Sequence, residues 1–116
     1  MHHPYEARVS DSGTEQVLLE VSGEIDMAVA PQFLDAILCA ALSRQRQNIV
    51  MDLAGCTFID STGLAALVEA QRRLVAESCH LVISHASPIV TRTIELAGLD
   101  DHLDVRTGWS SRQVAR

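Results

Sequence analysis

Residues 48–53, "NIVMDL", form a nearly continuous apolar run of strand length. The run is far too short to span a bilayer, and its residues do not alternate with polar ones. It therefore reads as a strand buried on both faces, as strands are in a parallel sheet. The flanking sequence agrees. Before the run, Leu34, Ile37, Leu38, Ala41 and Leu42 recur at helical spacing behind Pro31, whose missing N–H costs little in a first turn. After it, residues 61–76 set Leu64, Leu67, Val68, Leu74 and Val75 on one helical face and turn Glu69, Arg72 and Arg73 away.

The remaining segments extend this alternation. Residues 5–11 read as a short edge strand. In "EQVLLEV" (15–21), Val17, Leu19 and Val21 share one face at strand spacing, and Gly13 is placed for a hairpin turn between the two strands. Gly23 is expected to end the second strand, with "GEIDMAVA" leading into the first helix. "AGCTFID" reads as a connection to the second helix, and "CHLVIS" (79–84) as another buried strand. "SPIVTRTIELAGL" (87–99) is a helix opened by Ser87 and Pro88 and closed by Gly98. A weak strand near 102–106 follows, and the tail around Trp109 is a candidate for a last short helix.

The predicted order is β-β-α-β-α-β-α-β. This is an α/β fold: a mixed, mainly parallel sheet with helices packed on it and an antiparallel N-terminal edge hairpin. With 116 residues, the chain is expected to form a single domain, 1–116, with its core at about 7–106 and tails at 1–4 and 107–116.

Charge and residue usage exclude several functions. The formal charge is −6, which argues against nucleic acid or an anionic membrane as partner. All nine basic residues are arginine. Without lysine there is no P-loop lysine, no Schiff base and no lysine-assisted aspartyl phosphorylation at Asp52. Asp52 reads instead as a carboxylate bound by neighbouring backbone. Cys39, Cys56 and Cys79 are odd in number and form no C-x-x-C, which suits buried thiols in a reducing cytoplasm. His80, His85 and His102 are scattered, so neither a metal nor a cofactor is expected. "MHHPYEARVS" lacks the pattern of a signal peptide, and His2 and His3 are given no role.

The stretch most suggestive of function is "FIDSTGL" (58–64). Asp60 or Ser61 could simply cap the following helix. That leaves Gly63 unexplained, because glycine in an early turn costs about 1 kcal/mol relative to alanine. No Glu or Gln lies three residues after a candidate cap to complete a capping box. A close approach by another backbone or by a partner would account for the glycine. A hydrolase elbow, G-x-S-x-G, fails because Ile59 stands where its first glycine should be. A phosphoacceptor fits better: a serine at an exposed helix N-terminus, where free N–H groups and the helix dipole favour phosphate.

"VSGEIDMAVAPQF" followed by "NIVMDLAGCTFIDSTGLAALVEAQRRL" resembles the STAS domain of bacterial anti-sigma factor antagonists, from about residue 7 to 106. The resemblance implies a regulatory binding protein rather than an enzyme. Its unphosphorylated form would bind an anti-sigma factor with serine kinase activity, and so release a sigma factor. Phosphorylation of Ser61 would switch binding off, and a serine phosphatase would reset it. Asp26, Asp60, Ser61, Thr62 and Gly63 match the family's partner-binding motif, with Gly63 expected to let the kinase approach the hydroxyl. The free protein is expected to be a cytoplasmic monomer that binds neither nucleic acid nor membrane. The alternative is a STAS scaffold or ligand-sensing module in a larger signalling assembly, without phosphorylation.

Overall fold

A computed structural model describes residues 3–11, 16–42 and 48–106. The elements run β1 (Glu6–Asp11), β2 (Gln16–Ile25), α1 (Ala30–Leu42), β3 (Asn48–Ile59), α2 (Ser61–Ala76), β4 (Leu81–Ala86), α3 (Pro88–Leu96) and β5 (Asp104–Val105). Among the described residues the strands form one sheet in the order β1-β2-β3-β4-β5. The β1–β2 pair is antiparallel and the other three pairs are parallel. This is the predicted mixed sheet with its antiparallel edge. Gly13 and the candidate helix around Trp109 lie outside the described residues.

Alternate residues of the strands build the core. Val17, Leu19, Val21, Ile49, Met51, Leu53, Leu81 and Ile83 share one buried cluster with residues of all three helices. The helices therefore pack on the same face of the sheet, as right-handed crossovers that always step in one direction require. Val50 and Val82 are also buried but stand outside that cluster, on the other face. This accounts for the unbroken apolar character of "NIVMDL".

Five expectations need correction. Gly23 does not end β2. The strand continues to Ile25, and Gly23, at φ +90°, sits at a register shift where a Cβ would lie 2.1 Å from the carbonyl oxygen of Pro4. "AGCTF" is not a loop either, because β3 runs on to Ile59 paired with the extended β2. On α1 the fully buried residues are Phe33, Ile37 and Ala41 rather than the leucines, which lie at the margin. On α2, Leu64, Leu67 and Leu74 enter the core with Ala66 and Ala70, while Val68 is half-buried and Val75 is 59% exposed. Cys56 and Cys79 are buried as expected, but Cys39 is exposed.

Candidate functional site

The site lies at the carboxyl ends of the two central parallel strands. β2 and β3 end in register, with Ile25 opposite Ile59. Each strand is followed at once by an aspartate that turns the chain into a helix. Asp26 Oδ1 accepts the N–H groups of Ala28 (3.0 Å) and Val29 (3.2 Å), and the Asp26 carbonyl accepts from Ala30. Asp60 is the N-cap of α2, and its Oδ1 accepts the N–H groups of Thr62 (3.0 Å) and Gly63 (3.1 Å). The two turns are tied together: Asp60 N–H donates to the Ile25 carbonyl at 3.2 Å, and Met27 N–H donates to the Asp60 carboxylate. Asp26 and Asp60 therefore stand on adjoining turns.

Ser61 and Thr62 are not equivalent. Ser61 is exposed at the first position of α2, and its hydroxyl makes no hydrogen bond to any described residue. Thr62 is half-buried, and its hydroxyl donates to Asp60 Oδ1. Desolvation acts to raise the Asp60 pKa, but the bonds from the Thr62 hydroxyl and from the Gly63, Thr62 and Met27 N–H groups outweigh it. The carboxyl is held below its ordinary range. Because Asp60 takes the N–H groups of Thr62 and Gly63, the expectation that they stand free for a phosphate on Ser61 is also corrected.

Gly63 is buried, which gives it an internal reason to be glycine. A Cβ there would lie 2.7 Å from Ile59 Cγ1, 2.9 Å from Ile25 Cγ2 and 3.2 Å from the Ile25 carbonyl oxygen. The first turn of α2 is pressed onto the ends of β2 and β3, and glycine permits that approach. The close contact is made from beneath by this chain's own strands.

The structure adds residues that no local motif marked. The Met27 side chain is 73% exposed on the turn whose N–H binds Asp60. On the other side of Ser61, Leu64, Ala65 and Val68 of α2 face Ala97 and Leu99 across a groove of about 380 Å³. Elsewhere, Asp52 Oδ1 accepts Ala54 N–H at 2.8 Å, as expected of a carboxylate bound by neighbouring backbone. His85 bonds Ser84 Oγ at 3.1 Å through Nδ1. Among the described residues no cluster could hold a metal ion, and no helix is long and apolar enough to cross a membrane.

The family model described as "Mlab, STAS domain" matches residues 9–107, most of the chain. The chain belongs to the STAS family. Similar STAS proteins include the anti-sigma-B factor antagonist of Listeria monocytogenes, 29% identical over 100 residues that cover 84% of this chain and 85% of the relative. Among solved structures, an anti-sigma factor antagonist from Mycobacterium paratuberculosis matches with a TM-score of 0.76 and 29% identity, covering 89% of this chain and 86% of the other. The anti-sigma factor antagonist SpoIIAA in its unphosphorylated form matches with a TM-score of 0.77, covering 94% and 93%. At 19% identity, that match speaks for the STAS fold alone.

Proposed function

We propose that this STAS protein is an anti-sigma factor antagonist whose binding is switched at Ser61. With Ser61 unmodified, it binds an anti-sigma factor with serine kinase activity and so releases a sigma factor. Phosphorylation of Ser61 by that partner ends binding, and a serine phosphatase restores it. Asp26 and Asp60 shape the docking surface, while Thr62 and Gly63 hold it in place.

One observation carries this reading. Ser61 is exposed with an unengaged hydroxyl, while the N–H groups of Thr62 and Gly63 and the Thr62 hydroxyl are committed to Asp60. A phosphate on Ser61 would add about −1.5 to −2 charges beside a carboxylate that holds those donors. The added charge therefore projects onto the surface, where it costs a docked partner more than it costs the fold. The curated relatives named as anti-sigma-B factor antagonists support the assignment of partner class.

The test is phosphate transfer. The purified chain is incubated with ATP and lysate of its source cells, and the product is mapped by fragmentation mass spectrometry. Phosphate is expected on Ser61 and absent from Ser61→Ala. Ser61→Ala should retain the kinase and Ser61→Asp should lose it. Equal binding by both variants would refute the switch.

A further inference from the structure

We propose that the face of the sheet turned away from the helices is the docking site of this chain's own residues 107–116, with Trp109 over Val50 and Val82 and Arg112 against Glu20 and Asp52. This does not depend on the switch at Ser61.

The strand register defines that face. Leu19, Met51 and Ile83 share the buried cluster with residues of all three helices, so the residues next to them point the other way. Leu18, Val50 and Val82 are aligned across β2, β3 and β4 as an apolar row on this second face. Val50 and Val82 are each 2% exposed, and so is Ser84 further along β4. No described helix packs there, yet the middle of the face is as dry as the core. Parallel strands are ordinarily covered on both sides.

An acidic row stands beside the apolar one. Glu20 and Asp52 occupy opposed positions on β2 and β3, where like charges repel. With Glu6 they border a hollow of about 600 Å³, and Arg8 is the one described arginine on its rim. Arg8 approaches Glu20 only to 3.9 Å, with its own side chain 85% exposed, and such a pair neutralises little. The hollow therefore favours a further cation.

The chain supplies one. Asp104 bonds both His80 and Arg106, and Arg106 N–H donates to the Ile83 carbonyl at 2.8 Å. The segment after Arg106 thus departs from beside β4. Two strand spacings separate β5 from β3, about 10 Å, which three extended residues can span. Residues 107–116, "TGWSSRQVAR", lie outside the described residues and carry two arginines and no acid. Trp109 is the third residue after Arg106, and Arg112 follows it by three. An aromatic group followed by a guanidinium matches an apolar row bordered by an acidic one.

Trp109 is the only tryptophan, so its fluorescence reports on the segment directly. In the full chain its emission should be blue-shifted, and less quenched by acrylamide, than in urea. Arg112→Glu should shift the emission to the red and raise quenching, and Glu20→Arg should do the same. Glu20→Arg combined with Arg112→Glu should restore the shielded emission, which a merely weakened sheet would not do. Arg72→Glu makes the same change of charge on α2 and should leave the emission unaltered. Far-UV circular dichroism verifies that each variant is folded. If Trp109 emits in the native chain as it does in urea, the inference is overturned. It is equally overturned if Trp109 is shielded but indifferent to Arg112→Glu and Glu20→Arg, because the segment then lies elsewhere. If the shielding grows with protein concentration and sedimentation shows a dimer, the segment covers a second copy and the inference is wrong.

Discussion

Replacing Gly63 by alanine tests how the site is built. Two effects oppose each other. In a helix the substitution gains about 1 kcal/mol from propensity alone. Against that, the new Cβ would meet Ile59 Cγ1 at 2.7 Å, Ile25 Cγ2 at 2.9 Å and the Ile25 carbonyl oxygen at 3.2 Å. Ile25 is fully buried and Ile59 is 3% exposed, so neither side chain can swing into solvent. The carbonyl is held by Asp60 N–H. Overpacking against such neighbours costs about 2–3 kcal/mol. The net expectation is a loss of about 1–2 kcal/mol, which at a urea slope of about 2 kcal/mol/M lowers the denaturation midpoint by about 0.5–1 M. Relief of the clash also moves the start of α2, so on the function proposed above phosphate transfer to Ser61 should slow. If Gly63→Ala instead stabilises the chain by about 1 kcal/mol and impairs only partner binding, the strands do not press on Gly63. The glycine would then serve a partner's approach.

Asp60→Ala removes the cap of α2 and should cost about 1–2 kcal/mol near neutral pH, measured by chemical denaturation. Because the Asp60 pKa is lowered on folding, its contribution is full above the ordinary carboxyl value of about 4 and is lost as pH falls through the lower folded value. The stability gap between the two proteins should therefore close below about pH 4, and a gap independent of pH would contradict the cap geometry. Thiol labelling should separate the cysteines. Cys39 is exposed and should react in the native state, whereas Cys79 is buried and Cys56 is buried with its thiol pKa raised by desolvation. Equal labelling of all three before denaturant is added would show that the packing around β3 is wrong.

Much of this fold was legible because its helices and strands differ sharply in period. The start of α2 at Ser61 could be read from Asp60 and the apolar stripe behind it. What could not be read was held by distant partners. "AGCTF" carries no strong strand signal, and it is a strand because Ser22–Ile25 pair with it. Gly23 looked like a terminator because the residue that leaves no room for a Cβ there, Pro4, comes from the N-terminal segment. Helical spacing grouped Val68 and Val75 with the leucines of α2, yet the buried stripe is turned toward Ala66 and Ala70, which leaves Val68 half-buried and Val75 exposed. In the site, Asp26, Asp60 and Ser61 lie just beyond the carboxyl ends of β2 and β3. The cost of Gly63 was visible locally, but not which side presses on it. Ala97 and Leu99 reach Ser61 only through the tertiary fold.

The division of labour between Asp60 and Ser61 has a consequence for how the molecule tolerates change. Asp60 closes the helix using donors from its own turn and from Met27, and the Ser61 hydroxyl takes no part. Stability and chemical state are therefore nearly independent variables at this spot. On the function proposed above, a phosphate on Ser61 would leave the cap at Asp60 intact, so its addition and removal would not require the chain to refold.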